Sequence, residues 1–298
     1  MRIVVTGRQG QVVQALAEVA AASGMVVIPV GRPDLDLAVP ESVLPALAAA
    51  RPDVIVSAAA YTAVDRAESE GEAAFAVNAR GAELVARAAA ALGVPVIHLS
   101  TDYVFAGDQP GPYREDDPTG PVSVYGASKL EGERLVAAAC ADHVILRTAW
   151  VYSPFGVNFV KTMMRLGECR SEVAVVADQH GRPTSAHDIA GAIVAIAGRL
   201  TQDGDRQLRG TFHLAATGEA TWAEFAEAVF AGLKLRGGPS VAVKPIATAD
   251  YPTAARRPEN SRLATGKLAD TYGIVLPDWR ASLPAVLDRL LPQGGNDR

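Results

Sequence analysis

The sequence predicts an α/β fold, in which a Rossmann-type, doubly wound parallel sheet is joined by a smaller α+β lobe. Short β-branched runs alternate with helical segments over about the first 150 residues, which is typical of a parallel sheet with helices on both faces. A glycine turn separates the first run from the first helix. After Thr148 the alternation loosens, which indicates a second, smaller lobe.

The predicted strands of the first half cover residues 2–6, 25–30, 53–57, 94–99 and 143–147. Its predicted helices cover 15–22, 42–50, 68–92 and 123–141, and Gly71 and Gly81 are expected breaks in the third. In the second half, strands are predicted at 173–176, 211–214 and 241–245, and helices at 158–168, 186–199, 222–233, 263–272 and 279–290. We expect a polar loop at 201–209 and a frayed tail at 294–298.

Composition excludes several classes of protein. The net charge of −5 gives no general attraction to nucleic acid or to an anionic membrane. Cys140 and Cys169 have neither disulfide-like nor metal-like spacing, which fits a reduced interior. The N-terminus reaches Gly7 too early for a signal peptide, and no apolar run of membrane length follows. We therefore expect a cytoplasmic protein.

The glycine turn has the spacing Gly7-x-x-Gly10-x-x-Val13 between a strand and a helix. Glycines allow the backbone to approach a pyrophosphate, and the free N–H groups of the helix N-terminus stabilise it. This context predicts a dinucleotide site. Val13 stands where a third glycine usually lets helix and strand pack closely, so that packing is left open.

The end of the second strand bears on the choice of cofactor. An acid at this point binds the ribose of NAD, whereas arginine accommodates the 2′-phosphate of NADP. Here Gly31 and Arg32 come first, and Asp34 and Asp36 follow. We predict that NADPH is preferred and that NADH remains possible. Small residues after the third strand, including Ala60, permit close approach of a flat ligand.

Thr101, Tyr125 and Lys129 are the candidate catalytic residues. Thr101 ends a predicted strand, and the four-residue spacing of Tyr125 and Lys129 places both on one face of the following helix. A ketone that accepts hydride needs a proton, and a phenol can supply it if a nearby cation stabilises the phenolate. Lys129 is expected to provide that charge and to hold cofactor hydroxyls, while Thr101 aligns the ketone oxygen.

Eight motifs in this order resemble the dTDP-4-dehydrorhamnose reductase family of extended short-chain dehydrogenases/reductases. They cover nearly the whole chain and read G-R-Q-G-Q-V, A-A-A-Y-T-A-V-D-R-A-E, S-T-D-Y-V-F-A-G, V-Y-G-A-S-K-L-E-G-E, L-R-T-A-W-V-Y, N-F-V-K-T-M, D-Q-H-G-R-P-T and R-P-E-N-S-R-L. The resemblance implies catalysis by Thr101, Tyr125 and Lys129. It implies cofactor contacts from Gly10, Gln11, Val12, Asp36, Leu37, Ala60, Tyr61, Thr62 and Leu99, and substrate contacts from Thr101, Asp102 and Trp150.

The resemblance also implies the reaction, which is reduction of the C4 keto group of a dTDP-linked 6-deoxy-4-hexulose to give dTDP-L-rhamnose. Some members bind Mg²⁺ between the subunits of a dimer. The sequence has no carboxylate cluster that we assign to a metal, and it leaves monomer and homodimer open. Related dehydratases carry Glu two residues after the Thr as a base. Tyr103 stands there instead, which favours reduction and offers a wall for a sugar.

The second half should supply the nucleotide-sugar site. Among its basic residues, Arg257 and Arg262 are the best candidates for the diphosphate. We expect packing or loop contacts for His98, His180, His187 and Trp222. Residues 1–150, with parts of about 172–198 and 240–258, are predicted to form the dinucleotide-binding lobe, and 151–171, 199–239 and 259–298 the nucleotide-sugar-binding lobe.

Two alternatives stay open at the level of sequence. The substrate could be another dTDP-deoxysugar, because the sequence does not fix the stereochemistry at C4. The regulatory methionine adenosyltransferase β-subunit also resembles this branch and keeps a similar Tyr-x-x-x-Lys pair. Trp150 and the S-T-D-Y motif favour an enzyme.

Overall fold

The computed structural model of the protein describes residues 1–291, so the tail predicted at 294–298 lies outside the described residues. The strands are β1 (Arg2–Thr6), β2 (Val26–Val30), β3 (Val54–Ser57), β4 (Val96–Thr101), β5 (His143–Thr148), β6 (Val151–Tyr152), β7 (Glu172–Val176), β8 (His180–Gly181), β9 (Thr184–Ser185), β10 (Gly210–His213), β11 (Ala220–Thr221) and β12 (Ala242–Ile246). The helices are α1 (Gln11–Ala22), α2 (Pro40–Ala50), α3 (Val64–Ala67), α4 (Gly71–Phe75), α5 (Ala82–Leu92), α6 (Val124–Ala139), α7 (Phe159–Gly167), α8 (Ala186–Gln202), α9 (Trp222–Lys234), α10 (Gly266–Tyr272) and α11 (Trp279–Leu290).

The predicted parallel sheet is confirmed. Six strands lie in the order β10-β5-β4-β3-β1-β2, and every neighbouring pair is parallel. Alternate side chains of β1 enter different cores. Ile3 and Val5 pack with α1 and α8, whereas Val4 packs with α2 and α5. Two apolar faces explain why these strands read as continuous β-branched runs.

The strand order reverses beside β1, since β2 lies on one side of it and β3 on the other. Such a reversal leaves a crevice at the carboxyl ends of the strands, where ligands of this fold bind. The Thr6 hydroxyl joins the carboxyl ends of β1 and β3, because it accepts hydrogen bonds from the backbone N–H groups of Ala58 and Ala59 at 3.0 Å each.

Gly71 and Gly81 divide the helical region predicted at 68–92. Gly71 begins α4, and a π-helical turn, Ala76–Gly81, joins α4 to α5. A Cβ atom at Gly81 would lie 2.6 Å from the Cβ atom of Leu37, so only glycine fits there. Within the turn, the buried Asn78 side chain accepts from the Tyr61 N–H and donates to the Tyr61 carbonyl and to Ser128.

Beside the large sheet, the described part of the second half forms two-stranded sheets, β6 with β9, β7 with β12 and β8 with β11. β7 pairs with β12 in parallel, as the strands predicted at 173–176 and 241–245 allow. The strand predicted at 211–214 falls in a segment expected in the sugar lobe, yet it pairs with β5 as an outer strand of the main sheet. The helix predicted from Leu263 begins at Gly266 instead, because Leu263 forms a bridge with Tyr113. No helix within residues 1–291 is long and apolar enough to cross a bilayer.

The contact between α6 and the π-helical turn gives a test of the fold. A Cβ atom at Gly132 would lie 2.1 Å from the Asn78 carbonyl oxygen, and neither backbone can yield cheaply. We expect Gly132→Ala to lower the free energy of unfolding by about 1–3 kcal/mol, measured by urea denaturation. Gly191→Ala in α8 is the matched control, because open space surrounds that position. Equal effects of the two substitutions would contradict this packing.

Candidate active site

The glycine turn ends β1 and begins α1. Gly7 has φ +99°, and its N–H donates to the Val30 carbonyl at 2.7 Å. Gly10 precedes α1 without a side-chain cap, so the first N–H groups of that helix are available to an anion. Val13 is buried, and its methyl group would lie 3.6 Å from a Cβ atom at either glycine. Val13 thus fills the space against the turn and still lets α1 pack on the core.

A cavity of about 790 Å³ opens beside this turn. Six of the predicted cofactor residues line it, namely Gly7, Arg32, Asp36, Leu37, Ala60 and Tyr61. Arg8 and Arg66 also line it, although the sequence motifs did not single them out. Arg8 forms an ion pair with Asp34 at 2.5 Å, and its position inside the glycine turn was the available signal. Three arginines and free helix N–H groups suit a phosphorylated dinucleotide.

Seven other predicted cofactor residues are not among those that line this cavity, namely Gly10, Gln11, Val12, Thr62, Leu99, Tyr125 and Lys129. Val12 packs against the core, and Thr62 is exposed. The Leu99 carbonyl accepts from Lys129. The Gln11 side chain turns to the second half of the chain, where its Oε1 accepts from Ser153 at 2.7 Å and from Asn158.

Thr101, Asp102 and Tyr125 meet at the carboxyl end of β4. Thr101 and Asp102 are both buried, and the Thr101 hydroxyl donates to Asp102 Oδ1 at 2.9 Å. Burial and the charge of Asp102 raise the pKa of Tyr125 to about 12, and the Thr101 hydroxyl opposes this rise. The Tyr103 ring packs edge-to-face on Tyr125, with centroids 5.6 Å apart. The structure therefore brings together the hydroxyl, the phenol and the aromatic wall that the sequence predicted.

Lys129 is buried one turn after Tyr125, and its Nζ donates to the Leu99 carbonyl at 2.6 Å. Burial lowers the pKa of Lys129 to about 8, although the carboxylate of Glu133 acts in the opposite direction. We expected the Lys129 charge to lower the pKa of Tyr125. Burial and the charge of Asp102 instead raise the pKa of Tyr125 in this structure, and the stabilisation of its phenolate by Lys129 stays a prediction.

A buried ion pair lies next to β4 and α6, the elements that carry Thr101, Tyr125 and Lys129. The Arg147 guanidinium donates to both carboxylate oxygens of Glu133, at 2.9 and 2.7 Å, and the side chains are 6% and 5% exposed. The Ser100 hydroxyl donates to the same carboxylate at 2.5 Å. Because these residues lie on β5, α6 and β4, the cluster joins β5 to the two elements that carry the candidate catalytic residues, β4 with Thr101 and α6 with Tyr125 and Lys129.

A second cavity, of about 290 Å³, lies in the second half of the chain. Its wall is mostly apolar and includes Phe159, Met163, Val173, Val175, Trp222 and Arg257. Trp222 also stacks on Trp150, with ring centroids 3.5 Å apart and planes 9° apart. Trp150 has φ +49°, which is uncommon for a bulky residue, and a Cβ atom at Gly181 would lie 2.3 Å from its ring. The sequence analysis expected only packing from Trp222.

The two candidate arginines take different places. Arg257 lines the second cavity and pairs with Asp65 at 2.7 Å. Arg262 is not among the residues that line it. Its guanidinium donates to Glu219, Asn260 and the Pro110 carbonyl, so it holds loops together. Within residues 1–291, no group of three or more His, Cys, Asp or Glu side chains could hold a metal ion.

The sheet, the cavity beside the glycine turn and the Thr101, Tyr125 and Lys129 set are typical of an oxidoreductase of the extended short-chain dehydrogenase/reductase class. A family model described as the RmlD substrate binding domain matches residues 1–291. The chain belongs to this family, the dTDP-4-dehydrorhamnose reductases.

The chain is similar, over nearly its whole length, to proteins of that name. The chain is 53% identical to a dTDP-4-dehydrorhamnose reductase of Sinorhizobium fredii over 294 residues, which is 99% of each chain. It is 43% identical to that of Escherichia coli K12 and covers 98% of it, with 97% of this chain aligned. The crystal structure of a dTDP-4-dehydrorhamnose reductase from Bacillus anthracis in complex with NADP is 36% identical, with a TM-score of 0.89 over 96% of this chain and 98% of that one.

Asp102 provides a test of the electrostatics of the site. Burial raises the pKa of Asp102 from 3.8 to about 6, so its ionised form is disfavoured in the folded protein. The contribution of Asp102 to the free energy of unfolding is therefore fully present below about pH 4, where the carboxyl is protonated. It is lost as the pH rises through 6. We expect Asp102→Asn to be more stable than the wild type at pH 8, by at most about 3 kcal/mol, since each pKa unit is worth about 1.4 kcal/mol.

This difference should vanish near pH 4, and urea denaturation across the pH range would measure it. Asp116→Asn is the control, because the Asp116 side chain is 79% exposed and its ion pair with Arg114 stabilises little. A variant that is less stable at pH 8, by an amount independent of pH, would contradict the assignment.

Proposed function

We propose that this chain reduces the C4 keto group of dTDP-4-dehydrorhamnose to give dTDP-L-rhamnose, with NADPH as the reductant. The reaction belongs to dTDP-rhamnose biosynthesis, which supplies cell-surface polysaccharide. One observation carries the proposal: the Tyr125 phenol lies beside the Thr101 hydroxyl, at the end of β4 in the sheet that also bears the glycine turn. Membership of the reductase family and 53% identity to a curated reductase support the substrate.

The side chains can carry out the proton chemistry of a ketone reduction. With a pKa of about 12, Tyr125 keeps its proton across the physiological range and can donate it to the oxygen that develops charge at C4. When bound, the reduced nicotinamide supplies the hydride. The Thr101 hydroxyl can orient the same oxygen, and Tyr103 and Trp150 offer flat walls to the sugar. Asp102 is followed by Tyr103, so the base that dehydration needs is missing.

Each of the two cavities suits one of the two ligands. We assign the dinucleotide to the cavity beside Gly7 and Gly10, and the thymine nucleotide to the apolar cavity that Phe159 and Trp222 line. Residues 1–150 would form the first lobe together with β10, which pairs with β5, whereas β7 and Arg257 line the apolar cavity and would belong to the second lobe. Lys129 is available to hydroxyls of the cofactor ribose once they replace the Leu99 carbonyl as its partner.

The activity is tested by following NADPH oxidation at 340 nm with dTDP-4-dehydrorhamnose and identifying the product by NMR. We expect dTDP-L-rhamnose. Tyr125→Phe removes the donated proton and keeps the ring, so kcat should fall by about 100-fold or more, while folding and NADPH affinity persist. Tyr113→Phe is the matched control, since the Tyr113 hydroxyl bonds to the backbone of Gly107 and Gln109 instead. Turnover by Tyr125→Phe at the wild-type rate would refute the role of Tyr125.

Cofactor preference is a separate prediction. Arg8 and Arg32 line this cavity near the end of the second strand, which supports the proposal that they bind a 2′-phosphate. We expect wild-type kcat/KM to be higher with NADPH than with NADH. The double substitution Arg8→Ala and Arg32→Ala should lower kcat/KM about 10-fold or more for NADPH and little for NADH. Arg87→Ala, on the exposed face of α5, is the control. Equal kcat/KM for both cofactors in the wild type would contradict this assignment.

A further inference from the structure

Arg257 lies between the apolar cavity and the reacting groups. Its guanidinium is part of the wall of that cavity, together with Phe159 and Trp222. The positive charge of Arg257 also lowers the pKa of the Tyr103 hydroxyl, although burial raises that pKa by more. Tyr103 in turn packs on Tyr125. If the base of the nucleotide sugar occupies the cavity and C4 lies at Tyr125, the diphosphate between them passes Arg257.

Asp65 holds this guanidinium in a fork. Arg257 donates from one terminal nitrogen to Asp65 Oδ1 at 3.0 Å and from the other to Oδ2 at 2.7 Å. The same carboxylate accepts from the Ala255 N–H at 3.1 Å, and the Ala255 carbonyl accepts from Arg257 at 3.1 Å. Within residues 1–291, no hydrogen bond uses the Nε–H of Arg257, so this donor is open to a ligand. The Asp65 carboxylate thus fixes both the arginine and its backbone.

The pair joins distant parts of the chain, since Asp65 and Arg257 are 192 residues apart. Asp65 belongs to α3, and the next residue, Arg66, lines the dinucleotide cavity. Arginine has large rotamer freedom in solution, and an arginine already fixed in place loses less of it when it binds an anion. A bidentate carboxylate partner is the usual device for fixing a guanidinium plane.

We infer that Asp65 is a positioning residue, which holds Arg257 so that its guanidinium binds the diphosphate of the nucleotide-sugar substrate. This inference rests on the proposed function, because it takes the substrate to be a dTDP-sugar. A plain tie between the two halves of the chain is the competing explanation. The two differ in the ligand group that they affect: positioning concerns the diphosphate, whereas a tie concerns every ligand of the cavity and the stability of the fold.

The test compares the dissociation constants of dTDP and thymidine by calorimetry, together with KM and kcat for dTDP-4-dehydrorhamnose. Asp65→Asn should weaken dTDP binding and raise KM by about 10-fold, the scale of one hydrogen bond to a charged group, with kcat changed less than about threefold. Thymidine and NADPH should bind as they do to the wild type. In Arg257→Gln, the further change Asp65→Asn should weaken dTDP binding no more, because the residue it positions is gone.

Glu219→Gln is the matched control, since it breaks the Arg262 and Arg182 pairs outside the cavity wall. Arg257→Lys keeps the charge but loses the fork, so it should weaken dTDP binding as Asp65→Asn does, and it serves if Asp65→Asn does not fold. Equal weakening of dTDP and thymidine, or unchanged or tighter dTDP binding in Asp65→Asn, would overturn the inference. Wild-type protein that does not reduce the sugar at all would instead overturn the proposed function.

Discussion

The buried pair of Glu133 and Arg147 is the interaction on which the active site depends. Placing two charges in a core costs several kcal/mol per ion before their attraction is counted, and such a pair persists only when its hydrogen bonds are satisfied. Here the guanidinium forms two bonds to the carboxylate and Ser100 adds a third. Ser100 precedes Thr101, and Lys129 is one turn before Glu133. The pair therefore ties together β4 and α6, which carry the candidate catalytic residues.

The same burial governs the protonation of the site. Removal from water disfavours charge, so it raises the pKa of Tyr125 and Asp102 and lowers that of Lys129. Tyr125 consequently holds its proton until a substrate oxygen can accept it. The cost of burying Asp102 is a local loss of stability at neutral pH, which is common where a site is built for chemistry.

Local signals in the sequence sufficed for the sheet, the glycine turn and the spacing of Tyr125 and Lys129, because each depends on residues close together in the chain. Pairings between residues that are far apart in the chain left no signal in the sequence. Asp65 meets Arg257 and Trp222 stacks on Trp150 only after folding, and no periodicity marks either partner. Arg257 and Arg262 belong to one motif, yet the guanidinium of Arg262 pairs with the carboxylate of Glu219. The raised pKa of Tyr125 comes mainly from burial, which the spacing of Tyr125 and Lys129 does not reveal.

We propose that hydride is delivered in this site to C4 of the sugar. The most direct measurement reduces dTDP-4-dehydrorhamnose with NADPH that carries deuterium at both positions of the nicotinamide C4, in ordinary water, and locates the label in the product by NMR. Our account predicts dTDP-L-rhamnose with one deuterium, bonded to C4 of the sugar. Deuterium at another carbon, or a product without deuterium, would contradict it.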